Sequence, residues 1–511
     1  MMKQMALHEL VEPLQGVLQG ESVRFERVNT DTRSIVAGDL FVALKGDRFD
    51  AHDFVAAACE AGAVAAVVER VDSKLNIPQL QVPDTTRALG EIAHLQRLQY
   101  TGPLVALTGS SGKTTVKEMI ATVLQQIVLQ QAGQQDVSQQ PVSQRSVAQQ
   151  QTCVHMTRGN LNNHIGVPQT LLAMPADTQY AVIEMGASGL GEIDYLAALA
   201  EPTVALVNNV MAAHLQGFGS EAGVAAEKSA IYRHLRQGGT AVVNLDESYA
   251  AEWIATLQQT RPDVRMVTFS DHQAQADLTA ADIRINEQGC YDFILKATEL
   301  STGSDRIQVQ LPMMGRQNVN NALAVAACCL AVGASLEDIA NGLRKVVPVK
   351  GRMSPQAGLN QSLVVDDSYN ANPGSVKAAA RLLMDLQRQG REVMLVLGDL
   401  AELGADETAA LRQLGSDLQA MGLPMLITQG ANSHNASLGF HQGIQEQNRK
   451  KQIAQKHSMQ EQMSKHFVSK GELNQFLSTQ LTHNTVVLVK GSRSAAMESV
   501  VQAITLGGEK Q

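Results

Sequence analysis

The segment that most constrains this chain is 104–115, which reads LVALTGSSGKTT. Four apolar residues run directly into a turn with two glycines, and the residues after the turn have helical character. A buried strand, a glycine turn and a helix start form an anion cradle, because backbone N–H groups and the positive end of the helix dipole face one point. In such a loop Lys113 supplies a charge to phosphates and Thr114 offers a hydroxyl to Mg²⁺. The sequence therefore predicts a nucleotide site formed by Gly109, Ser110, Ser111, Gly112, Lys113, Thr114 and Thr115.

The loop departs from the common P-loop pattern. That pattern has a glycine five positions before Gly112, where this chain has Leu107. The loop is thus a shorter G-x-x-G-K-T form, and a chance glycine turn ahead of a helix is the alternative interpretation.

Length and element order predict an α/β chain of three domains. At 511 residues, a prior of ~150 residues per domain suggests about three. We predict an N-terminal α/β module over residues 1–101, a central P-loop domain with a parallel sheet over 102–347, and a C-terminal Rossmann-like domain over 348–511. The last domain has no G-x-G-x-x-G motif, so a bound dinucleotide is not indicated. Two Gln-rich stretches, 125–151 and 441–465, are predicted to be insertions, the first at the surface and poorly ordered, the second a helical or mobile excursion.

Charge and composition exclude several classes of protein. The net charge is −9 and no long Lys/Arg run occurs, which argues against nucleic-acid binding. The five cysteines have no C-x-x-C spacing, so a zinc site is not expected. No run of about 18 apolar residues occurs, and the N-terminus has no apolar signal core. We therefore expect a cytoplasmic chain without a membrane span, and a monomer.

Two side chains are placed by the strand pattern beside the P-loop. Glu184 stands at the carboxyl end of an apolar strand, and His214 follows the next strand. Ligands of open parallel sheets collect at the carboxyl ends of the strands, so both are candidate Mg²⁺ ligands. A helix-capping Glu and an ordinary loop His are the alternatives.

Three further residues are ambiguous by spacing alone. Lys228 stands beside Glu227 in a helical segment, where a solvated face is the simplest interpretation. Asn318 and Asn321 open an apolar helix, where amides either cap the helix or contact an adenine edge. The DTR and KGDR stretches of the first domain could likewise be solvated turns.

Taken together, nine motifs in order make the chain resemble the Mur ligase family. The resemblance spans nearly the whole chain apart from the two Gln-rich stretches. The N-terminal TDTRSIVAGDLFVALKGDRFDAHDF resembles the family's UDP-substrate-binding domain. The motifs are TGSSGKTT, GNLNNHIGVP, VIEMGAS, NNVMAAHLQGFGS, GRQNVNNALAVAA, KGR, DDSYNANPGS, GDLAELG and KGSRS.

The resemblance implies an ATP-dependent ligase of peptidoglycan precursor synthesis. GNLNNHIGVP and DDSYNANPGS look like the dipeptide-adding branch. In that branch the terminal carboxylate of UDP-N-acetylmuramoyl-tripeptide is activated as an acyl phosphate, and the amine of D-alanyl-D-alanine then attacks it. The preceding ligase, which adds the third amino acid, and a folylpolyglutamate-type relative are alternatives within the enzyme class. A nucleotide-switched regulatory or scaffold protein is the alternative from another class.

The resemblance also implies roles for single residues. Thr114, Glu184 and His214 match magnesium ligands, and Lys228 matches a lysine that becomes carbamylated and holds a second magnesium; Lys113, Lys228 and His214 are the implied catalytic residues. One departure is Gln317, which stands where the family usually has His. The remaining matches are Asn318 and Asn321 on the adenine side, Arg352 and Asp367 toward phosphate and ribose, Thr32, Asp47 and Arg48 at the UDP site, and Asn162 and Asn163 toward the muramoyl peptide.

Overall fold

The computed structural model describes residues 4–46, 49–135, 153–211, 215–298, 305–403, 406–454 and 463–506. The predicted α/β class is confirmed: three mixed sheets of five, nine and six strands carry helices between their strands. Each of these sheets lies within one of the three predicted units, and the exact boundaries near 101 and 347 stay predictions.

The first unit is built on the five-stranded sheet. Two of its central strands, Asp39–Val42 and Ala65–Val68, are buried along their whole length, as expected for parallel strands covered on both faces. Two-stranded ribbons pair Met5–Ala6 with Arg24–Phe25 and Lys45–Gly46 with Phe49–Asp50. The sheet order is Val17–Gln19, Gln79–Gln81, Ala65–Val68, Asp39–Val42 and Arg27–Asn29, and the α-helices are Val55–Glu60 and Thr85–Leu98.

The central unit carries the P-loop strand in the interior of the nine-stranded sheet. Leu104–Thr108 is buried along its whole length and pairs in parallel with a strand on each side. The last three strands form an antiparallel extension. The order is Val154–Met156, Tyr180–Glu184, Leu104–Thr108, Val204–Val207, Thr240–Asn244, Arg265–Ser270, Leu278–Ile285, Cys290–Ala297 and Arg306–Met314.

Helices cover both faces of this sheet, as a parallel sheet requires. The long helix Lys113–Gln135 packs against Gln317–Ala331 and Leu336–Leu343, joined by one apolar core. The other helices are Gly166–Leu172, Glu192–Ala200, Leu215–Phe218, Glu221–Ser229 and Ala250–Thr260.

The third unit is a doubly wound sheet of six strands. One edge strand is antiparallel, and the other five run parallel with their carboxyl ends on one side. The order is Ser354–Ala357, Leu363–Asp367, Thr485–Lys490, Glu392–Gly398, Met425–Gln429 and Met463–Phe467, and the α-helices are Pro373–Arg388, Glu407–Ala420, His434–Ala454, Lys470–Gln480 and Glu498–Ile504.

Both predicted insertions were drawn too wide. The first helix of the central unit continues to Gln135, and Ile127 and Val128 are buried, so the start of the 125–151 stretch belongs to the core; residues 136–152 lie outside the described residues. In the second stretch, 441–465, the first residues belong to the helix His434–Ala454, which begins before residue 441. The last residues of the stretch belong to the strand Met463–Phe467. In the first stretch the polar, Gln-rich composition was interpreted as poor order, although Gln is a good helix former. In the second stretch, the helix His434–Ala454 agrees with the predicted helical excursion.

The first and central units meet through two helices. Arg97 is fully buried and donates to three backbone carbonyl oxygens, those of Ala200, Tyr100 and Glu201.

Among the helices of the described ranges, none is both long and apolar enough to cross a membrane.

Candidate active site

The P-loop turn is shaped by close contacts that only glycine allows. Gly112 has φ of +76°, and a Cβ there would lie 2.9 Å from Nδ2 of Asn208 and 2.9 Å from Oδ1 of Asn321. A side chain at this position would be strained and would also displace two asparagines. The loop is therefore packed against amides from the neighbouring strand end and from the helix Gln317–Ala331.

A second loop, residues 208–211, holds the P-loop from one side, and we call it the clasp loop. The N–H of Ser110 donates to the backbone oxygen of Asn209 (3.0 Å), and the N–H of Ser111 donates to Oδ1 of Asn209 (2.8 Å). The N–H of Met211 donates to Oγ of Ser110 (2.9 Å). Two N–H groups of the turn thus serve the protein itself, and the N–H groups at the start of the helix are the ones available to phosphate oxygens.

Lys113 lies where a phosphate-binding lysine is expected. Its ammonium donates to the backbone oxygen of Gly109 (2.7 Å), so the side chain folds back over the turn. Burial lowers the pKa of Lys113, the Arg352 charge lowers it too, and Glu184 opposes both. Three charged groups from three parts of the chain therefore act on one another here.

Glu184 has one satisfied and one unsatisfied oxygen. Oε1 accepts from the Thr114 hydroxyl (3.3 Å) and from Nδ2 of Asn162 (2.8 Å). Oε2 is buried and accepts no hydrogen bond from any described residue, with the ammonium of Lys117 4.0 Å away. A buried carboxylate oxygen without a donor is costly, and a hard cation would satisfy it. Thr114 and Glu184 therefore fit a magnesium ion.

Lys228 does not lie on a solvated face. Its side chain is 2% exposed, and the neighbouring Glu227 is 5% exposed. Glu227 accepts from the N–H groups of Gly191 and Ile193, both at 2.6 Å, and so caps the helix Glu192–Ala200. Burial, assisted by the Lys113 charge, lowers the pKa of Lys228 to about 7. The solvated interpretation is wrong, because helix packing removes both side chains from water.

The helix Gln317–Ala331 contributes a chain of buried amides. Nδ2 of Asn318 donates to the backbone oxygen of Met314 (2.7 Å), and Nδ2 of Asn321 donates to Oδ1 of Asn318 (2.8 Å). Oδ1 of Asn321 accepts from Asn208 (3.1 Å). Asn321 therefore connects the helix to the clasp loop and lies against the P-loop glycine, while Asn318 holds Asn321 in place.

The third unit supplies the opposite wall. The guanidinium of Arg352 lies 4.4 Å from the ring centre of Tyr369. The ammonium of Lys490 donates to Oδ2 of Asp367 (2.6 Å) and to the backbone oxygen of Asn370 (3.0 Å). Burial raises the pKa of Asp367, although Lys490 opposes this. A paired carboxylate at the end of a strand can accept hydrogen bonds from ligand hydroxyls.

These walls enclose a cleft of about 390 Å³, which we call the central cleft. Of the predicted nucleotide, metal and peptide residues, the structure brings thirteen into its lining: Ser110, Ser111, Gly112, Lys113, Thr114, Thr115, Glu184, Asn162, Asn163, Asn318, Asn321, Arg352 and Asp367.

The other predicted residues are not brought together there. Gly109, Lys228 and Thr32 are absent from the lining of the central cleft among the described residues. Asp47, Arg48 and His214 lie outside the described residues. Within the part of the chain that the structure describes, no three His, Cys, Asp or Glu side chains cluster closely enough to hold a metal ion.

Thr32 lies instead near a second cleft, of about 680 Å³, between the first and central units. Thr30 and Ser34 line this cleft on either side of Thr32 in sequence. Nε2 of Gln169 in the central unit donates to the Thr30 hydroxyl (2.9 Å).

Of the predicted peptide residues, Asn163 accepts from the N–H of Gly166 (2.9 Å) and so caps a helix.

Sequence reasoning missed several residues of the central cleft. Asn209 could have been found, because it follows a buried strand next to the P-loop strand. Lys490 could also have been found, because it is the last residue of the buried strand Thr485–Lys490 in the third unit and begins the KGSRS motif. Tyr369 gave no separate signal, since its position against Arg352 depends on how the third unit packs.

Family models match three successive parts of the chain. The Mur ligase family catalytic domain matches residues 24–97, the Mur ligase middle domain matches 107–329, and the Mur ligase glutamate ligase domain matches 351–493.

Curated relatives and solved structures agree with these models. The UDP-N-acetylmuramoyl-tripeptide--D-alanyl-D-alanine ligase of Escherichia coli (strain K12) is 40% identical over 98% of both chains, and that of Bacillus subtilis (strain 168) is 32% identical over 96% of both. A crystal structure of MurF from Acinetobacter baumannii has a TM-score of 0.80 at 33% identity and covers 98% of both chains. MurF from Thermotoga maritima, solved with ADP, shares the fold at 24% identity (TM-score 0.74, 93% of this chain and 96% of that one).

Proposed function

The chain belongs to the Mur ligase family, and we propose that it joins D-alanyl-D-alanine to UDP-N-acetylmuramoyl-tripeptide in an ATP-dependent reaction. The activity for which the relatives at 40% and 32% identity are named supports this assignment. The reaction belongs to peptidoglycan precursor synthesis in the cytoplasm. The observation that carries it in this chain is the central cleft, in which Lys113 and the Thr114–Glu184 pair face Arg352 and the Asp367–Lys490 pair.

The chemistry requires two steps in one site. A carboxylate oxygen of the tripeptide attacks the γ-phosphorus of ATP, and ADP leaves, which gives an acyl phosphate. The amine of the dipeptide then attacks the acyl carbon, phosphate leaves, and the nitrogen loses a proton to give the amide. Both nucleophile and phosphate are anionic in the first step, so the site must neutralise charge and align the reactants.

The residues of the central cleft meet these demands in distinct ways. Lys113, whose ammonium lies over the turn, is proposed to contact the transferring phosphoryl group together with the N–H groups of the helix start. Thr114 and Glu184 would hold Mg²⁺, and His214 is proposed as a further ligand. When bound, the ion supplies positive charge to the phosphates. Asn318 and Asn321 are proposed on the adenine side, and Arg352 and Asp367 toward phosphate and ribose.

Lys228 is proposed as a carbamylated residue that holds a second Mg²⁺. A free ammonium beside a cation would repel it, whereas the carbamate carries a negative charge and two oxygens. Carbamylation by CO₂ needs the neutral amine, and the lowered pKa of Lys228, about 7, supplies it near neutral pH.

The first unit is proposed to bind the UDP moiety through Thr32, Asp47 and Arg48. The muramoyl peptide would then extend past Asn162 and Asn163 toward Glu184, since Asn162 donates to that carboxylate (2.8 Å). We also propose that the protein acts as a monomer.

The test is phosphate release with UDP-N-acetylmuramoyl-tripeptide and ATP, with and without D-alanyl-D-alanine. We expect sustained release only with the dipeptide. Release with the UDP-muramoyl dipeptide and a free amino acid would instead identify the preceding ligase. Nucleotide affinity without amine-dependent turnover would indicate a regulatory protein.

A further inference from the structure

The clasp loop is held from behind by two side chains of the next strand end. Nδ2 of Asn244 donates to the backbone oxygen of Asn208 (3.1 Å). Oε2 of Glu247 accepts from the backbone N–H of Val210 (3.0 Å). Asn244 is the last residue of the strand Thr240–Asn244, and Glu247 lies in the turn that follows, so both side chains reach the loop from the same strand end.

The two contacts flank Asn209, the residue of the clasp loop that is hydrogen-bonded to the P-loop. Asn209 accepts the N–H groups of both Ser110 and Ser111, through its backbone and side-chain oxygens. The backbone is held at residue 208 through its carbonyl oxygen and at residue 210 through its N–H. These two hydrogen bonds restrict the backbone orientation of residue 209. The position of the phosphate-binding turn is therefore linked, through Asn209, to Glu247.

Glu247 lies in surroundings that disfavour an ionised carboxylate. Burial raises its pKa to about 7, and the Asp246 and Glu221 carboxylates raise it too, while the Val210 N–H opposes them. A partly buried carboxyl beside two others costs stability unless a hydrogen bond compensates for the lost hydration. The hydrogen bond to Val210 is the contact that stabilises its ionised form.

We propose that Glu247 is a positioning residue for the phosphate-binding turn, which acts through Val210 and Asn209 and sets nucleotide affinity. The proposal rests on the nucleotide assignment of the central cleft and not on which amine is ligated. Glu247 contacts the backbone of the clasp loop and is not among the residues that line the cleft.

Three variants of the full chain test this role. Glu247→Ala removes the acceptor, Glu247→Gln keeps one acceptor oxygen without the charge, and Glu252→Ala removes an exposed carboxylate five residues further on. One hydrogen bond contributes about tenfold to an equilibrium constant, and Glu247 acts on the turn through one such bond. We expect Glu247→Ala to raise the KM for ATP and the Kd for ADP about tenfold, with the KM for D-alanyl-D-alanine within about twofold.

Two readouts separate positioning from simple loss of structure. Amide hydrogen exchange at Ser110 and Ser111 should speed up in Glu247→Ala and stay normal in Glu247→Gln and Glu252→Ala. Glu247→Gln should restore ADP affinity to within about threefold, because its oxygen can accept from Val210. Should Glu247→Ala fail to fold, Glu247→Met replaces it, since it fills the space without an acceptor.

A folded Glu247→Ala or Glu247→Met protein with normal ADP affinity would overturn the proposal. So would Glu247→Gln that binds ADP as weakly as the alanine variant. ADP binding is measured without the ligase substrates, so its outcome does not depend on the proposed reaction. If turnover with D-alanyl-D-alanine is lost while ADP affinity is unchanged, the positioning role of Glu247 is contradicted and the proposed reaction is not.

Discussion

The hydroxyl of Thr114 lies 3.3 Å from Oε1 of Glu184, so the helix that begins at the P-loop and the adjacent strand meet at one carboxylate. The other oxygen of that carboxylate accepts no hydrogen bond from a described residue. Glu184→Gln keeps the shape and the Asn162 contact but removes the charge. We expect the Mg²⁺ concentration for half-maximal rate to rise ~10-fold or more, since a charged oxygen ligand is lost. A magnesium titration of the rate, with Glu252→Gln as control, measures this, and an unchanged midpoint would contradict the ligand assignment.

Lys113 is expected to act on the phosphoryl group in transfer. Lys113→Ala should lower kcat by ~10²-fold or more while the fold survives, because one preorganised charge is removed from the transition state. The matched control is Lys74→Ala, at an exposed lysine of the first unit. Steady-state kinetics and a melting curve check both variants. A well-folded Lys113→Ala enzyme with near-normal kcat would refute the phosphate assignment.

Lys228 should be needed as an anion and not as a cation. Its pKa of about 7 means that the neutral amine dominates above that pH and the ammonium below it, so carbamylation and activity should fall as pH drops from 8 to 6. Lys228→Ala should lose most activity, keep much of its ATP affinity, and recover part of the rate with added short carboxylic acids. Crystals grown at or above neutral pH should show density beyond the Lys228 amine. Full activity in the alanine variant would remove the lysine from the mechanism.

Gly90 and Tyr195 set how closely the first and central units pack. A Cβ at Gly90 would lie 2.1 Å from the Tyr195 hydroxyl, which is buried and has no hydrogen-bond partner among the described residues. Gly90→Ala should therefore destabilise the protein by about 1–3 kcal/mol, as overpacked cores do. Tyr195→Phe removes the clashing oxygen and should be nearly neutral alone, and the double variant should return close to the parent stability. Denaturant unfolding of the four proteins forms the cycle, and purely additive effects would argue against the contact.

The third unit is tied to the central one away from the cleft. The Tyr291 hydroxyl donates to Oδ2 of Asp385 (2.7 Å), and Asp385 lies on the helix Pro373–Arg388, whose first turn borders the central cleft. Tyr291→Phe removes a hydrogen bond to a charged group, which is worth about 1.5–3 kcal/mol. We expect a larger radius of gyration by X-ray scattering without ligands, and convergence with the parent once an ATP analogue and the UDP substrate are bound. Identical ligand-free profiles would show that the contact does not hold the units together.

The sequence determined the local part of the site. A buried strand, a glycine turn and a helix start are contiguous, so the P-loop could be predicted without tertiary information. Glu184 could be predicted to lie beside it, because parallel strands bring their carboxyl ends to one edge. The α/β class followed from the alternation of apolar strands and helices for the same reason.

Only the tertiary structure decided the contacts made across elements. The burial of Lys228 and Glu227 depends on helix packing, which spacing along one helix does not reveal. The approach of Arg352 and Asp367 to the P-loop depends on how two separately cored units pack against each other. Asn209 and Glu247 act through single backbone groups of a loop, and which backbone group a side chain meets is set by three-dimensional packing and not by local sequence pattern.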